Sequence, residues 1–479
     1  MLALIKARAV FQGSNIKTGD GTPAHLLFQE VGATPSNLAT AHCAIGAGVL
    51  KGSRATTRDV KQAYIQSEID LPGRPRTWIR LPKYLWPKSW FNSDGSPKYV
   101  DPVCILKKSL YGHPESGAIW DKKLHKIMKG LGYDTVEGCP GFFYHKQLDV
   151  EVTVYVDDFI LIAPPKIENQ IWAELEKHMT FKDPPEILGR YLGINHRFKS
   201  LPDGTQEMIT EASDYVLDAC RTFMKEAQIT TLPWVPTPSI EDKFEPALSK
   251  KGVFANTAAS HLMKLLYVAR LVRGDFLVAT TFLARRIHFW SLNEDRRIKR
   301  LFAYAYHHLT ESLAHQLHPS DRAAAFLDYS PDAELGGDPY STKASGGFWL
   351  ELSSPCGKRK WPLCYSTKKA GRTSGSTADS ETWSLVGAGD SGLKREVIPL
   401  LAQLEATLNR PVKLVGKEDN TACIAAIKRG YSTALRYLKR HSNLSLGFVN
   451  EVFFPDKNDG PPKYWAQLAY WESKAHKGD

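Results

Sequence analysis

Two adjacent carboxylates, Asp157 and Asp158, lie inside an apolar run. Residues 150–164 read Val-Glu-Val-Thr-Val-Tyr-Val-Asp-Asp-Phe-Ile-Leu-Ile-Ala-Pro, which predicts two strands joined by a tight turn. Paired oxygen ligands on a rigid turn suit Mg²⁺. The alternative is a solvated turn, because aspartate favours turns in its own right. A third carboxylate upstream, Asp59, which opens Asp-Val-Lys-Gln-Ala-Tyr, favours the metal interpretation.

A second set of acidic residues is spread over the last third of the chain. Asp328 follows a strand-like segment, Glu381 lies one turn into a predicted helix, and Asp419 follows another strand. In an open α/β sheet such positions can converge at one crevice beyond the strand ends. Three acids there suggest metal-dependent hydrolysis of a phosphodiester. Each could instead serve a turn, a helix dipole or a helix N-cap, and Asp332 is an alternative to Asp328.

The elements that must position these acids fall into three blocks. Up to about residue 198 helices and strands are mixed, with amphipathic helices near 114–133 and 167–179. A proline-rich stretch, 232–238, is the best internal break and leads to a largely helical section at 261–314. The last block reads as three strands, a helix, a strand and a helix, which predicts a separate α/β domain.

The composition indicates what kind of partner the protein binds and in which cellular compartment it lies. A net charge of +11 over 479 residues suggests a polyanion such as nucleic acid, although a merely basic soluble protein explains the charge equally well. Seven cysteines without zinc-type spacing fit a reducing compartment. The N-terminus lacks a signal-peptide core, and no apolar run is long enough to span a bilayer. We therefore expect an intracellular protein without a membrane partner, in the cytoplasm (a virus-like particle) or the nucleus.

The motifs in order resemble the reverse transcriptase of copia-type LTR retrotransposons. Asp-Val-x-x-Ala-Tyr followed by Tyr-Val-Asp-Asp resembles the palm of these enzymes. The flanking segments that resemble the family are Ile5-Lys-Ala-Arg-Ala-Val-Phe-Gln-Gly13, Leu106-Lys-Lys-Ser-Leu-Tyr-Gly112 and Tyr191-Leu-Gly-Ile194. The resemblance covers essentially the whole chain at fitting spacing. It implies an RNA-directed DNA polymerase that uses two Mg²⁺ ions per active site, with Mn²⁺ as a substitute.

The resemblance also implies a role for each motif residue. Asp59 and Asp157 would be the main metal ligands, with Asp158 beside them in a lesser role. Tyr64 would be the steric gate that fills the space of a ribose 2′-hydroxyl; by spacing alone it reads as a core aromatic. The remaining expected contacts to the incoming nucleotide are Lys6, Arg8 and Glu115. Glu115 stands where the family usually has glutamine, in the divergent segment His113-Pro-Glu-Ser-Gly-Ala-Ile-Trp120.

The last block resembles the RNase H domain that follows reverse transcriptase in the same elements. Ser376-Thr-Ala-Asp-Ser-Glu381 and Glu418-Asp-Asn-Thr-Ala-Cys-Ile424 carry this resemblance. The implied metal ligands are Asp328, Glu381, Asp419 and Asp479, the last standing where the family has its fourth acid. The implied partners of the whole chain are an RNA template, a DNA primer, dNTPs, an RNA–DNA hybrid and other parts of a Pol polyprotein.

We therefore predict an α+β and α/β multidomain fold. Residues 1–198 would form the fingers and palm of a right hand, 199–320 a mainly helical thumb or connection, and 321–479 an RNase H-like mixed-sheet domain truncated at its C-terminus. The alternative is a truncated, catalytically impaired retroelement remnant that binds nucleic acid without catalysis. The retained acids Asp59, Asp157, Asp158, Glu381 and Asp419 argue against long decay.

Overall fold

A computed structural model describes residues 10–24, 35–73, 75–240, 250–336, 338, 340–387, 392–435, 445–455 and 463–472. The helices in this part are α1 (Leu38–Lys51), α2 (Ser116–Gly130), α3 (Glu168–Glu176), α4 (Ser213–Glu226), α5 (Ala258–Ala269), α6 (Leu277–Arg285), α7 (Leu292–His307), α8 (Thr377–Gly387), α9 (Ile398–Leu408), α10 (Thr421–Arg429) and α11 (Leu446–Phe453). Within these ranges no helix is both long and apolar enough to cross a bilayer.

The strands are β1 (Arg54–Asp59), β2 (Trp78–Arg80), β3 (Val103–Ile105), β4 (Asp134–Thr135), β5 (Phe142–His145), β6 (Val150–Tyr155), β7 (Asp158–Ala163), β8 (Glu186–Ile187), β9 (Arg190–Tyr191), β10 (Ile194–Ser200), β11 (Gln206–Glu211), β12 (Leu313–Leu317), β13 (Phe326–Glu334), β14 (Ser345–Ser353), β15 (Lys360–Lys369), β16 (Leu414–Glu418) and β17 (Ala466–Tyr470). Strands β2 and β3 form a separate two-stranded ribbon. The mixture of helices and sheets agrees with the predicted fold class.

The N-terminal block is built on a six-stranded sheet with the order β4-β5-β6-β7-β1-β8. Strands β6 and β7 form the predicted hairpin, and β1 pairs antiparallel with the other edge of β7. Five of the six residues in each hairpin strand are buried, because the sheet is covered on both faces. Trp120 of α2 and Trp172 of α3 belong to the cluster that packs against this hairpin.

A four-stranded sheet, β12-β11-β10-β9, joins the first block to the middle block. Strand β10 spans the boundary predicted after residue 198, and β12 returns from the far end of the helical section to pair with β11. Helices α5, α6 and α7 form that section, and α7 begins with a capping box between Ser291 and Glu294. The proline-rich stretch 232–238 contains no helix or strand.

The C-terminal block contains a mixed five-stranded sheet with the order β15-β14-β13-β16-β17. Strands β13, β14 and β15 are antiparallel neighbours, whereas β16 runs parallel to β13 and β17 parallel to β16. The predicted order of three strands, a helix, a strand and a helix holds from β13 to α10 except that a second helix, α9, lies between α8 and β16. The first of these strands does not end at Asp328, since β13 continues to Glu334.

Helix α1 joins the N-terminal block to the C-terminal block. Thirteen of its fourteen residues are buried, and the helix packs against α9 and β15. The Trp361 indole N–H donates to the backbone oxygen of His42 at 2.8 Å, and the Gln403 amide donates to that of Thr40 at 2.9 Å. A Cβ atom at Gly46 would lie 2.9 Å from the Trp361 ring, so this contact requires glycine. The hydrophobic core therefore runs without interruption between the two blocks.

Candidate active sites

The turn between β6 and β7 is held rigidly from two sides. Tyr155 pairs with Asp158, so Val156 and Asp157 form a two-residue turn. Val156 has a φ of 60°, a left-handed conformation that is strained for a β-branched residue. The indole of Trp120 donates to the Val156 oxygen at 2.8 Å, and the Val60 amide donates to the Asp157 oxygen at 2.7 Å. Contacts from α2 and from the end of β1 therefore fix the orientation of this turn.

Strand pairing brings Asp59 to the same place as the two hairpin carboxylates. Asp59 at the end of β1 lies directly opposite Asp158 in the antiparallel register. Burial raises the pKa of Asp158 to about 7, and the charges of Asp157 and Asp59 add to this effect. Protonation at neutral pH marks a site with too much negative charge, which a divalent cation would relieve. The donor set therefore fits the predicted metal, while the role of each residue stays a prediction.

Lys182 contributes a cation to this site that the sequence did not indicate. Its backbone amide donates to the Asp59 oxygen at 2.8 Å, and its ammonium lies 3.7 Å from an Asp59 carboxylate oxygen. The ammonium also pairs with Asp183 at 3.0 Å. Lys182 reaches Asp59 only because the chain crosses beside the end of β1 after α3. A motif search along the sequence has no signal for such a contact.

The ring of Tyr64 lies between the hairpin and the segment around Tyr111. Tyr64 belongs to a short 3₁₀ turn and its ring centroid is 4.8 Å from that of Tyr111. Its pKa is raised, chiefly by burial and then by the charges of Tyr111 and Asp157. The side chain is half-buried, so one part packs on the core and another part remains accessible. This position suits the predicted gate and is equally that of a packed aromatic residue.

The divergent segment at 113–120 forms a defined entry to α2. Glu115 is the N-cap residue, and its amide donates to Nδ1 of His113 at 3.2 Å. Nε2 of His113 contacts the Thr77 hydroxyl at 3.1 Å, and burial lowers the pKa of His113 to about 4. His113 therefore serves as a neutral structural residue here. Lys6 and Arg8, the predicted triphosphate contacts, lie outside the described residues.

A second acidic cluster lies at one end of the C-terminal sheet. Carboxylate oxygens of Asp332, Glu381 and Asp419 all lie within 4.8 Å of one another. Within the described ranges no other three His, Cys, Asp or Glu side chains meet so closely. The parallel register of β13 and β16 explains why Asp332 and Asp419 lie close together. Asp328 of β13 pairs with Val415 of β16, and each acid lies four residues further along its own chain segment. Glu381 approaches from the first turns of α8.

Asp328 does not belong to this cluster, which corrects the choice made from the sequence. Four residues of strand separate it from Asp332, a distance of roughly 13 Å. Its carboxylate is buried and pairs with the Lys417 ammonium at 2.5 Å. The ammonium in turn lies 4.3 Å from the centroid of the Trp471 ring. Asp328 is therefore a structural partner of a half-buried lysine, and the alternative Asp332 takes its predicted place.

Glu418 is a fourth carboxylate beside the cluster, for which no role was predicted. Burial raises its pKa to about 8, with further contributions from Asp419 and Asp332. Burial likewise raises the pKa of Glu381 to about 9, with Glu418, Asp332 and Asp419 adding to it. The Oε2 atoms of Glu381 and Glu418 are buried without a hydrogen-bond partner. Buried, unpaired carboxylate oxygens in one crevice fit a divalent cation. Asp479 lies outside the described residues.

Comparison with known proteins matches the N-terminal part of the chain to one family. Residues 6–201 match the family described as reverse transcriptase (RNA-dependent DNA polymerase). A Ty5-1 transposon protein of Saccharomyces cerevisiae is 26% identical over 65% of this chain and 92% of its own length. The retrovirus-related Pol polyprotein from transposon RE1 of Arabidopsis thaliana is 24% identical over 85% of this chain, which spans 25% of that polyprotein.

Among solved structures, a foamy viral protease-reverse transcriptase in complex with double-stranded DNA is 12% identical to this chain. The alignment covers 96% of this chain and 64% of the viral protein, with a TM-score of 0.44. The chain is therefore similar to transposon Pol proteins, and its residues 6–201 match the reverse transcriptase family.

Proposed function

We propose that this chain is an RNA-directed DNA polymerase whose nucleotidyl-transfer site is the carboxylate group at the β6–β7 turn. The observation that carries the proposal is the pairing of Asp59 opposite Asp158, beside Asp157 on a turn fixed from both sides. The match of residues 6–201 to the reverse transcriptase family supports it. Precise placement matters because a misplacement of about 1 Å can cost a hundredfold in rate.

Asp59 and Asp157 would hold two divalent ions, Mg²⁺ or Mn²⁺, and Asp158 would assist them. When bound, such ions activate the attacking hydroxyl and stabilise the leaving group. Asp158 would lose its proton when a cation binds, because the cation offsets the negative charges of Asp157 and Asp59 and so lowers the pKa of Asp158. Lys182 would exchange its loose contact with Asp59 for solvent or for a phosphate oxygen. Tyr64 would exclude a ribose 2′-hydroxyl by its volume.

We propose further that the C-terminal block is an RNase H-like domain that degrades the RNA of RNA–DNA hybrids. Asp332, Glu381 and Asp419 would hold the ions, and Asp479 is the proposed fourth ligand. The close approach of three carboxylates and the unpartnered oxygens of Glu381 and Glu418 support this assignment. Glu418 would lose its proton once a cation offsets the charges of Asp419 and Asp332, because these charges add to the effect of burial on its pKa.

A groove between α5 and β15 would contact the backbone of one strand of the template–primer between the two sites. The groove has a volume of about 740 Å³ and is lined by residues of α5, α6, α1 and β15. Its polar lining includes Tyr267, Arg270, Lys368 and the carboxylate of Glu396. Tyr267 also donates a hydrogen bond to the Leu192 oxygen at 2.5 Å, beside the palm. Contacts of this kind hold phosphates without reading sequence, so no sequence specificity is expected.

DNA primer extension on an RNA template with Mg²⁺ or Mn²⁺ tests the polymerase proposal. Extension by the wild-type protein should disappear in Asp157→Asn, while hybrid binding in EDTA persists. Asp183→Asn is the matched control, because Asp183 is an exposed aspartate that also contacts Lys182. Extension that survives in Asp157→Asn would refute the assigned site. If the wild-type protein bound hybrid but extended no primer, the result would support the alternative of a remnant that binds nucleic acid without catalysis.

The nuclease proposal is tested separately by cleavage of the RNA strand in a labelled hybrid. Glu381→Gln should abolish cleavage and leave primer extension intact, and Asp157→Asn should do the reverse. The two variants thus form reciprocal controls within one protein. Cleavage that persists in Glu381→Gln would refute the assignment of the C-terminal cluster.

A further inference from the structure

A cavity between α6 and the start of β14 combines positive charge with aromatic walls. It has a volume of about 270 Å³ and is lined by both the helical section and the C-terminal block. Its lining residues are Phe282, Arg285, Arg286, Phe289, Asp338, Tyr340, Ser341 and Lys369. Three of these eight side chains are cations and one is a carboxylate, so the cavity carries a net positive charge.

The cations of the cavity differ in how they are paired. Arg286 pairs with Glu294 at 3.2 Å and lies 3.9 Å from the centroid of the Tyr340 ring. Lys369 pairs with Asp338 at 2.5 Å. Arg285 forms no ion pair with any of the described residues, and Asp338 is the carboxylate whose charge reaches it. Arg285 is thus the cation of this cavity that is available to an external anion.

Arg285 is also partly withdrawn from water. Its pKa is lowered because burial removes hydration from the guanidinium, and the charge of Asp338 opposes this effect only in part. A partly buried cation gains more from an anion than an exposed one does, because water screens the pair less. The planar guanidinium can offer two parallel N–H donors to a phosphate.

The strand register places the cavity near the acidic cluster of the C-terminal sheet. Asp332 pairs with Gly347, which pairs with Thr367, and Lys369 lies two residues further along β15. Two strand spacings and two residues of rise give a Cα separation between Asp332 and Lys369 of roughly 12 Å. A nucleic-acid strand whose scissile bond lies at the cluster could therefore place a neighbouring phosphate in the cavity.

We propose that this cavity binds one backbone phosphate of the RNA–DNA hybrid and so holds the hybrid between the helical section and the C-terminal sheet. Arg285 is the main ligand, and Arg286 and Lys369 contribute positive charge. The inference rests on the proposed binding of hybrids by this chain. It adds a defined contact at the junction of two blocks, apart from both acidic clusters.

Hybrid binding by the full chain in EDTA, followed by fluorescence anisotropy over a range of salt concentrations, tests this inference without catalysis. Each phosphate contact contributes about 0.9 to the slope of log affinity against log salt. Arg285→Ala should therefore lower the slope by about 1 and weaken binding about 8-fold at 0.1 M salt. Arg285→Lys should retain most of the slope.

Two further variants make the result specific to the cavity. Arg221→Ala on α4 removes the same charge from an exposed position outside the cavity and should leave the slope nearly unchanged. Asp338→Asn removes the carboxylate of the cavity and should tighten binding, the opposite of Arg285→Ala. Circular dichroism and melting temperature confirm that each variant is folded.

Every outcome then supports or overturns the inference. Equal slopes for Arg285→Ala and wild type would overturn it while wild-type hybrid binding kept the proposed function in place. Failure of the wild type to bind hybrid at all would overturn the proposed function itself. Loss of pyrophosphate binding in Arg285→Ala with unchanged hybrid binding would identify a site for free phosphates instead and would also overturn the inference.

Discussion

Replacing the ionisable carboxyl of Glu381 with an amide should stabilise the metal-free protein at neutral pH. Glu381 is buried beside three other carboxylates, and its pKa is raised from 4.5 to about 9. The folded protein therefore keeps this proton up to about pH 9, whereas the unfolded chain loses it near pH 4.5. The associated stability is fully present below pH 4.5 and is lost as the pH rises toward 9.

The size of the effect follows from the distance between the working pH and the ordinary pKa. Each pH unit above that pKa costs about 1.36 kcal/mol, so at pH 7 the cost is about 3 kcal/mol. Glu381→Gln has no proton to hold and avoids this cost. For a chain of 479 residues that unfolds as one cooperative unit, a gain of this size corresponds to an increase in Tm of roughly 3 °C.

Thermal denaturation in EDTA at several pH values measures this effect. Glu381→Gln and wild type should melt together near pH 4.5 and separate progressively up to pH 8, with the variant more stable. Glu451→Gln on α11 is the control, since Glu451 is exposed and should show no such separation. Millimolar Mg²⁺ should largely cancel the difference near pH 7, because a ligand at a hundred times its Kd stabilises the wild type by about 2.7 kcal/mol.

Two results would refute the reasoning. If Glu381→Gln melted at the same temperature as wild type at every pH in EDTA, the carboxylate could not lie in a buried, repulsive cluster. If the variant were less stable at pH 8 in EDTA, Glu381 would instead be stabilised by a cation that belongs to the protein itself. Both results are accessible without any assay of activity.

Four further substitutions test the two sites. Tyr64→Val should raise incorporation of ribonucleotides relative to deoxyribonucleotides at least tenfold, and an unchanged ratio in primer extension would exclude Tyr64 as the gate. Trp120→Phe removes the hydrogen bond to Val156 and should slow extension with a loss of about 1–3 kcal/mol in unfolding free energy; full activity would mean that the turn holds itself. Asp332→Asn should abolish hybrid cleavage in a stable protein, whereas Asp328→Asn should cost about 3–5 kcal/mol of stability by unpairing Lys417. The opposite pattern in cleavage and chemical denaturation would restore Asp328 as the ligand.

The hairpin at Asp157 and Asp158 could be predicted because its signal is local. Alternating and continuous apolar residues define both strands, and the two acids define the turn. The position of Asp59 beside the hairpin could not be predicted in this way. Strand β1 lies about a hundred residues upstream, and its sequence does not indicate that it pairs with β7. The family resemblance implied only that Asp59 and Asp157 hold metal at one site, and the strand register brings the two residues together.

The end of β13 was mispredicted because an interior proline suggests that a strand has stopped. Pro331 is tolerated because the parallel pairing with β16 ends at Tyr329, so on that side the strand has a free edge. Only the antiparallel partner β14 continues beside it. The choice between Asp328 and Asp332 thus depended on where the pairing with the neighbouring strand β16 ends, which the local sequence does not show.

Helix α1 was not predicted, because a helix buried on all sides shows no polar face. Residues 38–51 are rich in alanine and glycine, which by themselves are weak evidence for a helix next to a sheet. The helix is defined by what surrounds it, above all α9 and β15 from the far end of the chain. Such a helix can be identified from its contacts in the folded structure but not from its own sequence pattern.

The same helix has a consequence for how the two sites could act on one substrate. Thr40 and His42 receive hydrogen bonds from side chains of the C-terminal block, and Gly46 allows the Trp361 ring to touch the helix backbone. Close packing of this kind holds the C-terminal block in a fixed position relative to α1. The separation between the β6–β7 turn and the acidic cluster is therefore fixed by α1. A hybrid held along the groove would meet the second site at a constant distance from the first.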